Sequence, residues 1–429
     1  MEKFRSYGAS IVAVLLVAIS SCNTATEKSN SGYTNTLSFS PGEESKISEA
    51  LLSLKDSSVV ELKAGNYKFD NLSIAQLKHI MLKGEGPDKT ILDFSSQTQG
   101  GEGIRVTDVT GFNIEDIKLQ NAKGDLIKVT KSRDVVFRNV HAVWDKSDSS
   151  SGGYALYPVM CKNVLLENCY VQGSSDAGIY VGQTDSAVVR NCKGFRNVAG
   201  CEIENTTNAE VYGNEFWGNC AGFLVFDLPT LSKRGGHVKA HDNNIHDNNE
   251  RNFAKAGSFG TTWGVGNAAP GSGVIILAAS DIELYNNQIV NNNSGAILLA
   301  SGLVTDDSAL NKINDNYFPI SKNIFIHDNT LQMGDAFPAP ALEHHMGKML
   351  VGIEQALNMM DTTRKNKRIP LILYDGISTN IITGGQSANP DSLCIKQTGD
   401  NVFVNADMLH IQDQKNWKPN IVIDPFVCK

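Results

Sequence analysis

The longest continuously apolar run of this 429-residue chain, Ile11 to Ile19, is too short to cross a bilayer as a helix. Positive charge is not in excess either: 38 lysines and arginines face 46 aspartates and glutamates, for a net charge of −8. That balance excludes a protein held to nucleic acid by a basic face. With 41% hydrophobic residues the chain is not compositionally disordered, and 8 cysteines in this length do not make a disulfide-dense scaffold. No two cysteines stand in C-x-x-C spacing, which removes the usual zinc cluster. What is present in quantity is glycine, 38 residues, and asparagine, about 40. Both tolerate left-handed backbone and form tight turns, so a long chain rich in both implies turns that recur.

Lys3 and Arg5 precede the apolar run and Ser20-Ser21-Cys22 follow it, the layout of a secretory signal with a cysteine at the cleavage point. The Ile19-Ser20-Ser21-Cys22 segment resembles a bacterial lipobox, which implies cleavage before Cys22 and lipidation of its thiol. The expected organisation is a lipoprotein signal peptide over 1–21, then a polar, flexible tether over 22–36. The lipid is then the only membrane contact, and the expected location is the bacterial cell envelope, at the outer membrane. Export permits disulfides, and Cys394 with Cys428 is the expected pair. Cys161, Cys169, Cys192, Cys201 and Cys220 are expected to serve as small buried hydrophobes.

Gly101, Gly124, Gly153, Gly178, Gly200, Gly222, Gly273 and Gly295 open short apolar stretches at spacings of 23, 29, 25, 22, 22, 51 and 22. A second column, an apolar residue three places before an asparagine, recurs as Val136/Asn139, Leu165/Asn168, Val188/Asn191, Val211/Asn214, Ala240/Asn243, Leu284/Asn287 and Ile326/Asn329. Two columns locked in phase mark a solenoid of about 22 residues per unit. A unit that short holds two or three strands and no helix pair. The predicted fold is therefore all-β, a right-handed parallel β-helix with one unit per coil. Glycine is expected to admit the bend before the first strand. Asparagine is expected at the turns, its amides bonding between coils ~4.8 Å apart. Residues 45–54 put Ile47, Ala50, Leu51 and Leu54 on one helical face and predict an N-terminal cap. Cap and coils together are expected over 37–334, and 335–429, which lose the period, as a C-terminal capping segment.

The segments Gly178-Ile-Tyr-Val-Gly-Gln, Cys201-Glu-Ile-Glu-Asn and Phe223-Leu-Val-Phe-Asp-Leu-Pro resemble the right-handed parallel β-helix repeat family, whose repeats are described as carbohydrate-binding and sugar-hydrolysis repeats. Within it they are similar to an exported bacterial subfamily with lipoprotein or ordinary signal peptides. The resemblance covers residues 84–335, with the C-terminal segment also similar. It implies a pectin lyase-like fold and, by analogy of fold, polysaccharide chemistry. The paired aspartates and the His-Gly and Arg-Ile-Lys motifs of polygalacturonases are absent, as is the Asp-Pro-His motif of alginate epimerases. Those two activities are disfavoured.

Excess length marks loops added to a rigid scaffold. Asp227–Gly236 follows a first strand, while His141–Gly152 and Asn248–Ser272 precede first strands. Together they are expected to wall a groove floored by the outer face of that strand column. Alternation puts Tyr180, Glu202, Glu204, Leu224 and Phe226 outward, continued by Arg105, Lys128 and Tyr157 on one side and by Ile275, Leu277, Ile297 and Leu299 on the other. Glu202 and Glu204, at i and i+2, have β-carbons about 6.5–7 Å apart on one face, from which their carboxyls could reach either glycosidase separation. With Asp227 they are the expected catalytic residues. Lys128, Tyr157, Tyr180, Asn205, Lys233, Arg234, Arg251 and Trp263 are the expected substrate contacts. The two glutamates could equally converge with Asp227 or Asn205 on calcium, the one candidate cofactor, or form a solvated face. His344-His345, and His237, His241 and His246 along one coil, lack metal-site spacing.

The expected function is an extracytoplasmic, lipid-anchored β-helix protein that binds or acts on polysaccharide, an acidic one in particular, as a lyase or hydrolase. The alternative is a non-catalytic scaffold that binds an exported partner protein in the envelope. No nucleic-acid partner is expected.

Overall fold

The computed structural model describes residues 32–255, 264–397, 399, 401–413 and 415–428, so that Cys22 and Trp263 lie outside the described residues. Short runs of Val, Ile and Leu are ended by Asn, Asp or Gly in left-handed backbone, which turns the chain back over itself every coil. The result is a parallel β-helix. Among the described residues, a 20-stranded sheet and an 11-stranded sheet enclose one continuous apolar core. The smaller sheet, which carries the site, includes Asp125–Thr130, Leu156–Val159, Ala177–Gly182, Ala199–Glu204, Ala221–Phe226, Ser272–Leu277 and Gly295–Ala300. Each of these pairs with the next in parallel.

The helix Glu44–Leu52 closes the first coils by burying Ile47 and Leu51 in that core. At the other end Ile372–Tyr374, Leu393–Lys396 and Phe403–Asn405 continue the two sheets, so the aperiodic segment adds strands as well as covering the end. Its helix His345–Met360 lies against the outside of the smaller sheet, with Leu350, Ile353 and Leu357 packed beside Leu298 and Leu373. A disulfide joins Cys394 to Cys428 across a Cα separation of 4.7 Å. The five remaining described cysteines are free and buried. Among the described residues no helix is long and apolar enough to cross a membrane.

The register reassigns the roles of glycine and asparagine. Gly178, Gly200, Gly222 and Gly273 form one column, but Gly101, Gly124 and Gly153 stand two places before its positions and Gly295 one place. None of those four column glycines has left-handed backbone. Packing requires them instead: a Cβ on Gly222 would lie 2.4 Å from Ile245 Cγ2, and one on Gly178 2.5 Å from Val171 Cγ2. The asparagine column is likewise two adjacent columns. Asn139, Asn168 and Asn191 bend the chain at φ 50–55°. Asn214, Asn243, Asn287 and Asn329 stand one place later and point inward. There the backbone N–H and side-chain Nδ2 of each of the first three donate to Oδ1 of the next, at 2.8–3.1 Å. A second ladder, Asn197–Asn219–Asn248–Asn292, fills another corner. One further shift follows from the Gly295 offset: Leu298 and Ala300 face outward, and Ile297 and Leu299 belong to the core.

The two kinds of asparagine should respond differently to substitution. Asn287→Ala strands buried donors on Asn243 and is expected to cost about 2–4 kcal/mol in urea unfolding. Asn168→Gly keeps the left-handed turn and should stay within about 1 kcal/mol of the parent.

Candidate functional site

Ala177–Gly182, Ala199–Glu204 and Ala221–Phe226 are buried along their whole length, whereas strands of the larger sheet alternate between buried and open positions. The outside of the smaller sheet is therefore covered. The insertion after Asn248 brings Phe253, Ala254, Val265 and Ala268 onto Tyr180, Leu224 and Phe226. Helix His345–Met360 covers the later apolar coils. An open groove is not found at Glu202 and Glu204, which are only 3% and 8% exposed.

The partly exposed stretch lies just before them. The rings of Tyr154, Tyr157 and Tyr180 meet at centroid distances of 4.5–4.8 Å, and Lys128 Nζ sits 4.5 Å over the Tyr157 ring. Tyr180 donates its hydroxyl hydrogen to Glu204 Oε1 at 2.5 Å. Glu204 and Glu202 shift each other's titration as neighbouring carboxyls, and among the described residues Glu202 Oε2 has no hydrogen-bond partner. Beside them Tyr154 donates to the Asp176 carboxylate, and its backbone N–H to Asp125 Oδ1 at 3.0 Å. Lys255, from the covering insertion, acts electrostatically on Asp125 and Asp176. Strand parity does not reach Tyr154, Asp125, Asp176 or Lys255, because they stand at strand entrances or in an insertion. The length of the insertions was a signal for Tyr154 and Lys255, and Asp125 and Asp176 carried none.

The other expected contacts belong to loop anchorage rather than to this cluster. Asp227 does not join the glutamates: both its oxygens accept the Gly235 N–H at 3.1 Å, which cinches the base of its own loop, with Arg234 Nε 3.9 Å away. The Asn205 amide bonds to the carbonyls of Leu228 and Lys233 and to the Leu228 N–H. Lys233 Nζ donates to Thr184 O and Thr207 Oγ1, and Arg234 to Ser280 Oγ. Arg251 pairs with Glu343 at 2.7 Å, tying the covering insertion to the C-terminal helices. Of the expected set, the structure unites Lys128, Tyr157, Tyr180, Glu202 and Glu204.

The family described as right handed beta helix region matches residues 58–230 and 145–303, together more than half of the chain. The chain belongs to this family. No curated protein matches the sequence. Among solved structures, this β-helix is similar to the Azotobacter vinelandii mannuronan C-5 epimerase AlgE6 A-module, at 14% identity and TM-score 0.49, over 87% of this chain and 94% of that one. The AlgE4 A-module of the same organism follows at 16% and 0.45, over 72% and 89%. The polygalacturonase of Erwinia carotovora gives 12% and 0.42, over 73% and 96%. Likeness at these values carries no statement about chemistry.

In this β-helix, burial pushes the Glu202 carboxyl well above the usual carboxylate range, and the charges of Glu204 and Asp176 push the same way. Burial raises Glu204 as well, and raises the Tyr180 phenol well above its ordinary value, so that it stays a donor. Two adjacent buried carboxyls cannot both ionise cheaply, and the pair keeps a proton to higher pH than a free carboxyl does. Burial also lifts Asp125 to about 6 and Asp227 to about 7. A calcium cage is not formed. Asp227 and Asn205 are committed to their loop, and among the described residues no three His, Cys, Asp or Glu side chains are arranged to hold a metal ion.

A carboxyl raised in the folded state contributes stability that is full below its unfolded value, about 4.3 for glutamate, and is lost as pH rises toward the folded value. Glu202→Gln removes that loss while keeping a donor for Glu204. Its melting temperature should match or fall below the parent's at pH 4 and exceed it at pH 8. Parallel melting curves across this range would count against the shared proton.

Proposed function

We propose that this protein is an extracytoplasmic β-helix, lipid-anchored through Cys22 in a bacterial envelope, that binds an anionic polysaccharide and acts on it by proton transfer, as a lyase does. The reading rests on one observation, the continuous contact from Lys128 through Tyr157, Tyr154 and Tyr180 to the Glu204–Glu202 pair. Tyrosine faces and edges pack against sugar rings, and a lysine beside them suits a sugar carboxylate. A carboxylate and a carboxylic acid in contact supply both halves of an elimination. One accepts the proton α to the sugar carboxyl, and the other returns a proton to the leaving oxygen. Lys128 stands three strands, about 14 Å, from Glu202, so it holds a neighbouring sugar rather than the reacting one. The 3% exposure of Glu202 favours a second reading, a non-catalytic scaffold whose tyrosine strip binds a glycan or an exported partner protein.

A panel of polyuronates and neutral glycans, with and without EDTA, separates these. Elimination gives an unsaturated, ultraviolet-absorbing product, and Glu204→Gln should lower its rate at least about 100-fold while binding persists. Tyr157→Ala should weaken polyuronate binding by about tenfold. Binding without product supports the scaffold, and no binding to any glycan sinks the polysaccharide reading. Separately, the exported chain should partition into detergent and Cys22→Ser should not; an unmodified Cys22 by mass spectrometry would overturn the anchor.

A further inference from the structure

The strip of outward residues does not end at the glutamates. In the next strand Phe226 is the register partner of Glu204, followed by Leu277 and then Ala300 in the same row. From Phe226 onward this row lines a cavity of about 80 Å³ between the sheet, the Gly264–Ala269 end of the covering insertion and helix His345–Met360. Three thioethers, Met346, Met349 and Met408, converge on it from the C-terminal segment. Among the described lining residues the single charged side chain is Asp375, and its oxygens already accept the backbone N–H groups of Ser301, at 2.6 Å, and Ile377, at 2.9 Å. The wall thus offers a guest no free charge, and methionine adapts readily to a flexible apolar chain. A water takes about 10–15 Å³ of such space, so the cavity holds roughly six methylene-sized groups.

We propose that this cavity binds a short alkyl chain, and that the glycan bound along the tyrosine strip carries one as an acyl or alkyl substituent. The inference rests on the polysaccharide reading above and adds the substituent to it. Adjacency argues for one ligand rather than two. The carboxyl pair and the cavity wall are neighbouring strands of one sheet, so a sugar admitted to Tyr180 and Glu204, as the lyase reading requires, has its substituents within a strand spacing or two, about 5–10 Å, of Phe226. The first carbons of a chain bridge to Phe226, and those beyond them enter the cavity.

Titration calorimetry of the full chain with methyl, butyl, hexyl and decyl β-D-glucuronide, below their micelle concentrations, tests this without any substitution. Once the chain is long enough to reach the cavity, each further methylene should tighten binding about fourfold, with the gain continuing through decyl. Ala300→Phe fills the cavity and should abolish the dependence on chain length while leaving methyl glucuronide unaffected. Tyr157→Ala should weaken every member by a common factor and keep the slope. Affinity independent of chain length in the parent, or a slope that survives Ala300→Phe, overturns the proposal. A panel in which polyuronates bind but alkyl chains add nothing removes the substituent alone. A slope with no contribution from the sugar leaves the cavity site and removes the polysaccharide reading.

Discussion

Every residue of a parallel in-register stack has the same position of the next coil about 4.8 Å above and below it, and the rest of this protein follows from that repetition. A buried polar group at a corner therefore finds its nearest partner in the same position of the next coil. Asn214 through Asn329 bond to one another in this way, and the Asn197 to Asn292 ladder does the same at a second corner. Where the first ladder runs out, Cys192 and Cys169 take the same inward place with small, buried side chains, and the Cys192 N–H donates to the Asn214 side-chain oxygen. The column of glycines is the steric counterpart. Each lies where a core side chain (Val171, Ile245) or a neighbouring strand's carbonyl (Gly222, Ala296) leaves no room for a β-carbon.

Repetition also fixes what is possible on the outside of the smaller sheet. Its strands supply rows, not pockets, so a site has to be made by what is laid over a row. The insertion after Asn248 and the helix His345–Met360 share that task, and an Arg251–Glu343 ion pair links the insertion to the short helix Ala339–Glu343 just before it. Under the insertion the row passes from Tyr180 to the apolar Leu224 and Phe226; under the helix it is apolar. The same covering that excludes water from Glu202 raises its affinity for a proton, so burial and reactivity have one cause.

The fold was legible because the period is a property of the chain alone, visible in Gly178, Gly200 and Gly222 without knowledge of any partner residue. Register was legible only to within a residue or two. Asn191 and Asn214 read alike in sequence, yet one bends the backbone and the other lines the core, since consecutive places at a turn have opposite directions. Parity inside strands correctly set Tyr157, Tyr180, Glu202 and Glu204 on one face. It misjudged their exposure, because a covering loop is a long-range contact that leaves no local pattern. Asp227 shows the limit of loop arguments: a carboxylate beside an insertion can serve the insertion itself.

The asparagine ladder has a direction. In each rung the amide oxygen points back toward the preceding coil, from Asn214, whose oxygen meets the Cys192 N–H, to Asn329, whose backbone N–H meets Gln397 Oε1. Gln397 in turn returns its amide hydrogen to the Asn329 carbonyl and closes the series. Aligned dipoles add, so the ladder makes the stack electrically polar along its axis, with unlike ends. A further coil could extend it at either end only head to tail, and two such stacks meeting end to end in opposite senses would set like poles together.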